Sequence, residues 1–117
     1  MINEHKTIVE KINAACMNGD TEAFLSHLAD DVTWEIIGDE NLVGKEAIRQ
    51  FMRSMATDLP KFTVNMIIAE GDIAVCHGNM HMKGDDGLTH PYAYCDIYQF
   101  NNDKVSRMTT FCKQTSA

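Results

Sequence analysis

Apolar residues recur at helical spacing through the first half of the chain, which predicts three helices, each with one buried face. The predicted helices span residues 3–17, 21–29 and 45–57. Gly19 ends the first, because glycine readily takes the left-handed conformation at a helix end, and Asp20 caps the second. The helices therefore come first and leave most of the sheet to the second half of the chain.

The second half alternates apolar and polar residues with a period of two, which is typical of strands. A short strand is also expected at 32–36, between the second and third helices. The four long strands are predicted at 62–70, 72–83, 88–100 and 104–113. Only short turns separate them, so they form an antiparallel meander. Helices followed by such a sheet predict an α+β fold whose helices cover one face of the sheet.

The turn at Gly84–Gly87 decides which side chains of the two central strands share a face. If Asp85 and Asp86 form a two-residue loop, the numbers of directly opposed residues sum to 171, and opposed residues lie on one face. That register gathers polar side chains on one face: His77, Asn79, His81, His90, Tyr92, Tyr94 and Asp96. The opposite face is apolar and includes Met80, Met82, Ala93 and Ile97. A three-residue loop would shift the register and separate the side chains differently.

The polar face predicts a small-molecule pocket, because His and Tyr beneath helices are costly to desolvate unless they line a cavity or are hydrogen-bonded. Its remaining walls are expected from Trp34, Ile36, Phe51, Met108 and Thr110. The apolar face has no helix left to cover it, which predicts a homodimer through the outer face of the sheet.

Composition and charge narrow the classes of function. The chain has 117 residues, of which 44% are hydrophobic and 23% charged, and this balance predicts one globular domain over 1–117. A net charge of −7 weighs against nucleic acid and anionic membrane as partners. No apolar run approaches the ~18–20 residues of a membrane span. Residues 1–10 do not resemble a signal peptide, and the cysteines are scattered, so we expect a cytoplasmic protein.

The histidines and cysteines leave alternatives open. His77, His81 and His90 could form an acid/base cluster, a metal site or a solvated group near the hairpin tip. His77 and His81 lie roughly 13 Å apart along a strand, so one ion cannot bind both, and a zinc site lacks an evident third ligand. The residue numbers of Cys76 and Cys95 also sum to 171, so these cysteines would oppose each other and could form a cross-strand disulfide. Two free thiols are the preferred interpretation. No metal or organic cofactor is expected.

Four local strings, taken in order, are typical of one protein family. They are Asn18–Asp20, Asp30–Glu35, Gly44–Phe51 and Asp96–Phe100, and they extend over nearly the whole chain. In this order the chain resembles the NTF2-like superfamily, in particular its ketosteroid-isomerase and SnoaL-like branch. The resemblance implies a cone-shaped, curved sheet around a pocket capped by the helices, with dimers formed through the outer face of the sheet.

The resemblance also implies where catalytic groups would lie. Ketosteroid isomerases use a carboxylate base, a tyrosine and a protonated carboxylic acid. These positions correspond here to Ile36, Ile12 and Asp96, so only the acid is kept and ordinary steroid isomerisation is not expected. SnoaL-like cyclases and related hydrolases place an acid/base carboxylate on the later strands, which fits Asp96.

Two functions remain open from the sequence. The first is an enzyme that transfers protons on a small organic molecule, as an isomerase, cyclase or hydrolase, with Asp96 as the acid/base and His77 and Tyr94 as helpers. The second is a non-catalytic module that binds a ligand or dimerises, which the missing carboxylate at Ile36 favours. In either case Asp96 is expected to be buried, with a raised pKa. Asn79, His81, His90 and Tyr92 are expected to contact the ligand.

Overall fold

A computed structural model describes residues 4–55 and 61–115 of the protein. Its helices are α1 (Glu4–Met17), α2 (Thr21–Ser26) and α3 (Lys45–Ser54). Asp20 caps α2 as expected, since its side chain accepts a 3.1 Å hydrogen bond from the amide of Ala23. The predicted end of the third helix, at 56–57, lies outside the described residues. Among the residues that are described, no helix is both long and apolar enough to span a membrane.

The described strands form one six-stranded sheet. Their bounds are β1 (Leu28–Ile36), β2 (Asn41–Val43), β3 (Lys61–Glu70), β4 (Ile73–Lys83), β5 (Thr89–Asn101) and β6 (Lys104–Gln114). Their order across the sheet is β2-β1-β6-β5-β4-β3. The four long strands, β3 to β6, pair antiparallel in chain order, which confirms the predicted meander and the α+β class.

The region of β1 and β2 differs from the sequence-based expectation. Residues 28–29 belong to β1 rather than to the end of α2, because Leu28 pairs with Val105 of β6 and is buried there. No strand was predicted at 41–43, where β2 pairs antiparallel with β1. The pairing of β1 with β6 is parallel, and a parallel pair of strands distant in sequence leaves no local signal.

The core lies between the three helices and one face of the sheet, which we call the inner face. Val9, Ile12 and Ile48 from the helices and Val32 and Val105 from the strands are almost completely inaccessible to solvent. Burial of apolar area, at ~25 cal/mol per Å², is the main favourable contribution to folding. The opposite face of the sheet, which we call the outer face, is not covered by any of the described helices.

The loop between β4 and β5 has three residues, and this corrects the predicted register. The amide of Gly87 donates to the carbonyl of Gly84 at 3.0 Å, and the amide of Gly84 donates to the carbonyl of Leu88 at 2.9 Å. Gly87 has a φ of 78°, which is the left-handed conformation that ends a three-residue hairpin loop. The numbers of opposed residues therefore sum to 172 and not to 171, since Ile73 faces Gln99 and Lys83 faces Thr89.

A register shift of one residue moves side chains to the opposite face of a strand. On the inner face of β4 and β5 lie Cys76, Gly78, Met80, Met82, Tyr92, Tyr94 and Asp96. On the outer face lie His77, Asn79, His81, Ala93, Cys95 and Ile97. The predicted grouping of His77 and His81 with Tyr94 and Asp96 is therefore wrong, and so is the placing of Met80 and Met82 on the outer face.

The same register excludes the conceivable cross-strand disulfide. Cys76 opposes Asp96, and Cys95 opposes His77. All four cysteines are free thiols, as preferred from the sequence.

Candidate functional site

A cavity of about 440 Å³ lies between the helices and the inner face of the sheet. This volume falls in the lower part of the range of ~300–1,000 Å³ that is usual for small-molecule sites. Seven aromatic side chains line it: Phe24, Trp34, Phe51, Phe62, Tyr92, Tyr94 and Tyr98. Five methionines line it as well: Met52, Met55, Met80, Met82 and Met108. Rigid rings and flexible thioethers together form an apolar wall that can adapt to a bound molecule.

Asp96 provides a carboxylate inside this cavity. It lies on β5 opposite Thr110 of β6, and the Thr110 hydroxyl donates a 2.7 Å hydrogen bond to Oδ1 of Asp96. The indole Nε1 of Trp34 donates a 2.8 Å hydrogen bond to the same hydroxyl. Because Thr110 accepts from Trp34 and has a single proton to donate, that proton is directed at Asp96. The chain of two hydrogen bonds holds the carboxylate in one orientation.

Burial raises the pKa of Asp96 from its ordinary value to about 6. Removal from water disfavours the charged form, whereas hydrogen bonds from Thr110 and Tyr98 act in the opposite direction. The direction of this pKa shift agrees with the expectation from the sequence, and the side chain itself is partly buried. A carboxyl group whose pKa lies near neutrality can both accept and release a proton at physiological pH.

Asn13 and two tyrosines complete the polar part of the cavity. Nδ2 of Asn13 donates a 3.5 Å hydrogen bond to the sulfur of Cys76, and the Tyr94 hydroxyl lies 4.0 Å from that sulfur. Burial raises the pKa of both Tyr94 and Tyr98, so their hydroxyls stay protonated. Neutral hydroxyl and amide groups therefore surround the carboxylate of Asp96.

The cavity carries no basic side chain. All ten Lys and Arg and all five His lie within the described ranges 4–55 and 61–115, yet none of them lines it. Nearby cations are engaged elsewhere: Arg49 pairs with Glu22 at 2.9 Å on the helices. The acids that line the cavity are Asp96 and, from the turn after β1, Asp39. Any formal charge on the described wall of the cavity is thus negative.

The cysteines near the cavity are unreactive. Burial and the neighbouring Asp96 raise the pKa of Cys16 to about 12. Burial also raises the pKa of Cys76 and of Cys112. A thiol with a raised pKa is almost fully protonated at neutral pH and is therefore a poor nucleophile. Within the ranges that the structure describes, no three His, Cys, Asp or Glu side chains are grouped closely enough to hold a metal ion.

Eight residues predicted for the site do line this cavity: Trp34, Ile36, Phe51, Tyr92, Tyr94, Asp96, Met108 and Thr110. The prediction that His77, Asn79 and His81 line it as well is wrong, because the register turns them to the outer face. There, His77 lines a separate groove, and Asn79 accepts a 2.8 Å hydrogen bond from Asn65.

His90 also lies away from the cavity, although its strand position belongs to the inner face. Its Nε2 is 3.0 and 2.8 Å from the two carboxylate oxygens of Asp86 in the hairpin loop. The amide of Leu88 donates to Asp86 as well, and these contacts hold the pKa of Asp86 below its usual range. The predicted contact between His90 and a ligand is therefore wrong, and His90 instead orders the hairpin tip.

Several residues that line the cavity were not predicted from the sequence. Met80 and Met82 line the cavity only because of the corrected register, and Tyr98 lies on the same face of β5 as Tyr94 and Asp96. Asn13 had a signal in the sequence, since it follows Ile12 on the apolar face of α1, and a polar residue on a buried face needs a partner. It is the buried polar side chain among the described residues, at 8% exposure.

The curved sheet, the covering helices and the cavity between them define a protein of the NTF2-like class. The chain belongs to the SnoaL-like domain family, which matches residues 9–108. Both results confirm the resemblance inferred from the sequence. Among curated proteins, none matches this chain.

Solved structures of the same fold include proteins with and without known activity. An NTF2-like protein of unknown function from Cytophaga hutchinsonii is 26% identical, with a TM-score of 0.78 over 92% of this chain and 98% of that one. An LEH-like epoxide hydrolase from M. tuberculosis is 17% identical, with a TM-score of 0.83 over 94% and 83%. The epoxide hydrolase/cyclase-like enzyme SalBIII, of pyran ring formation in salinomycin, is 18% identical, with a TM-score of 0.84 over 94% and 91%.

Proposed function

We propose that this protein is an enzyme that moves a proton to or from a small organic molecule held in the cavity, with Asp96 as the acid/base. The observation that carries the proposal is the carboxylate of Asp96, oriented by Thr110 in an apolar cavity and with a pKa of about 6. General acids and bases are most effective when their pKa lies near the working pH. The fold alone supports no particular reaction.

The groups around Asp96 support the same assignment. Tyr94 and Asn13 line the cavity with a neutral hydroxyl and a neutral amide. Donors of this kind, fixed in a water-poor site, stabilise negative charge that develops on a bound oxygen. His77 has no part in the proposal, because it lies on the outer face.

Epoxide opening and ring closure are the narrower form of the proposal. Two of the similar structures are an LEH-like epoxide hydrolase and an epoxide hydrolase/cyclase-like enzyme. Both reaction types require a proton to be removed from an attacking hydroxyl or delivered to a leaving oxygen. A carboxyl group with the pKa of Asp96 is suited to either step.

We expect the protein to accelerate the ring opening of 5-nitrobenzisoxazole, a neutral bicyclic probe. A base removes its carbon-bound proton while the N–O bond breaks, which releases a coloured cyanophenolate. The value of kcat/KM should rise with pH through about 6, as Asp96 becomes ionised. Asp96→Asn should lower it by roughly 10²–10⁴-fold, the usual contribution of general base catalysis. Absorbance of the phenolate measures both effects.

Two matched variants control this experiment. Thr110→Val keeps the base but removes a hydrogen bond that lowers the pKa of Asp96, so the midpoint of the pH profile should move upward. His77→Ala changes the outer face and should leave the rate and the profile unchanged. Full activity in the Asp96→Asn variant would contradict the assignment.

A non-catalytic ligand-binding module is the second candidate. Ile36 lines the cavity at the position where ketosteroid isomerases hold their base, so the cavity interior has one carboxylate instead of two. Probe binding without acceleration, at every pH between 5 and 9, would favour this candidate over the enzyme.

We also propose that the protein forms a homodimer through the outer face. Met66, Ile68 and Phe111 are large apolar residues that lie on this face and are 47%, 55% and 46% exposed. Exposed apolar side chains in one patch are typical of a contact between subunits. Arg107 and Lys113 accompany Glu35 on this face, so it is less acidic than the chain as a whole and does not repel a second copy.

Sedimentation should therefore give twice the chain mass of 13.1 kDa at micromolar concentration. Phe111→Glu should give a monomer with an unchanged circular dichroism spectrum, because it places two carboxylates in an apolar contact. Leu88→Glu is the control, since Leu88 is 62% exposed but lies in the hairpin loop. A wild-type protein that sediments at the mass of one chain would refute the dimer.

A further inference from the structure

The charge distribution of the cavity indicates what kind of molecule it selects. Asp96 and Asp39 line it, and none of the ten Lys and Arg or the five His does, although all fifteen lie in the described parts of the chain. Asp39 is exposed, whereas Asp96 is partly buried, and a carboxylate withdrawn from water without a counter-ion is costly to ionise.

The hydrogen bonds to Asp96 do not replace a counter-ion. Oδ1 accepts from Thr110, whose hydroxyl is itself held by Trp34, and this is a bond from a neutral donor. The other titratable groups that face Asp96 are thiols and phenols on each neighbouring element: Cys16 on α1, Cys76 on β4, Tyr94 and Tyr98 on β5, and Cys112 on β6. Burial raises the pKa of each, so all are neutral at physiological pH and none supplies a positive charge.

The apolar wall is suited to a cation as well. The seven aromatic side chains present rings whose faces carry partial negative charge, and such faces attract ammonium groups. The thioethers of the five methionines are polarisable and fit irregular hydrocarbon. Asn13 adds an acceptor, because its amide oxygen can accept from a ligand while its nitrogen donates one of its two protons to Cys76.

We infer that the cavity binds an organic ammonium ion, with the cationic nitrogen paired to Asp96 and the hydrocarbon part packed against the aromatic and methionine wall. The inference rests on the cavity being the functional site, as in the proposed function, but not on turnover. A cation neutralises the buried carboxylate, a neutral ligand leaves it uncompensated, and an anion adds a second negative charge. The site therefore selects by charge among molecules of the same shape.

Binding should depend on pH in a defined direction. The ammonium ion pairs with the ionised form of Asp96, so affinity is lost as the pH falls through about 6. At high pH the ligand itself loses its proton, near a pKa of about 10 for an alkyl amine. Affinity should therefore be greatest between these two values.

Three adamantane derivatives of one shape test the inference: 1-adamantanemethylamine, 1-adamantanemethanol and 1-adamantanecarboxylate. They do not absorb near 280 nm, and the single tryptophan of the chain, Trp34, lines the cavity, so its fluorescence reports their binding directly. At pH 7.5 we expect the amine to bind roughly tenfold more tightly than the alcohol, as a desolvated cation near aromatic rings does. The carboxylate should not bind.

Asp96→Asn should remove the preference for the amine while the alcohol still binds with its wild-type affinity. Glu10→Gln makes the same change of net charge on the exposed side of α1 and should keep the preference. Wild-type protein at pH 5 repeats the neutralisation of Asp96 without a substitution, so the test does not depend on how the variant folds. Equal affinities of amine and alcohol in the wild type, or a preference that survives in Asp96→Asn, would overturn the inference.

The outcomes separate this inference from the proposed function. Amine preference without probe turnover would leave the ammonium site and remove the acid/base role of Asp96. Probe turnover without amine preference would leave the acid/base role of Asp96 and remove the ammonium site. If both hold, the amine should inhibit turnover of 5-nitrobenzisoxazole competitively.

Discussion

Asp96→Asn should stabilise the protein at pH 8 by about 3 kcal/mol in the free energy of unfolding. The pKa of the carboxyl is raised from 3.8 to about 6 in the folded protein. The folded state thus binds this proton more tightly than the unfolded chain, and the wild type loses stability as the pH rises between these values. The loss is complete above pH 6, at about 1.4 kcal/mol for each unit of pKa difference. Asparagine is uncharged at every pH, as the protonated carboxyl is, so the variant keeps the stability that the wild type loses.

Urea unfolding at pH 8 and at pH 3.5 measures this effect. The two proteins should differ at pH 8 and be nearly equal at pH 3.5, where the carboxyl is protonated in both states of the wild type. Glu10→Gln provides the control, because Glu10 is exposed on α1 and its replacement should change stability little at either pH. A variant that is less stable than the wild type at pH 8 would contradict the burial of an uncompensated charge. A residue whose replacement raises stability and removes activity is one that is kept for function.

Gly78→Ala should destabilise the protein by about 3 kcal/mol, the upper part of the usual range for overpacking. A Cβ atom at this position would lie 2.1 Å from the carbonyl oxygen of Thr63 and 2.7 Å from the hydroxyl oxygen of Tyr94. The first of these is backbone of the neighbouring strand and cannot rotate away. The absence of a side chain at Gly78 is thus what allows Tyr94 to lie against β4 beside the cavity.

Thermal unfolding should show the effect of Gly78→Ala as a fall of roughly 4–8 °C for each kcal/mol. Gly84→Ala is the matched control, because the nearest atom to its added Cβ, at 3.0 Å, belongs to the movable side chain of His90. Equal midpoints for the two variants would show that the contact between Gly78 and Thr63 is not tight.

Much of the fold could be predicted from the sequence because local patterns determine it. The helical spacing of α1 and the alternation in β3 to β6 depend on neighbours within a few residues, and so do the glycine and asparagine turns between them. The parallel contact between β1 and β6 and the short strand β2 could not be predicted. Their energy comes from pairing with residues distant in the chain, which leaves no periodic signal.

The candidate site was predicted in part. One turn separates the residues that were placed correctly from those that were not. Gly84–Gly87 suits a loop of two or of three residues, and the choice between them reverses the faces of β4 relative to β5. Trp34, Ile36 and Met108 were placed correctly, because their positions do not depend on that turn. His77 was misplaced because its position does.

The sequence by itself determined the classes of the elements, the family and the presence of one acid among apolar neighbours at Asp96, since each depends on residue type and local order. Only the tertiary structure decided that Asp96 faces Thr110, that thiols and phenols surround it, and that no basic side chain in the described ranges reaches the cavity. These properties depend on the register of the strands and on the packing of the helices. Both are set by the burial of apolar area over the whole domain, which no local pattern records.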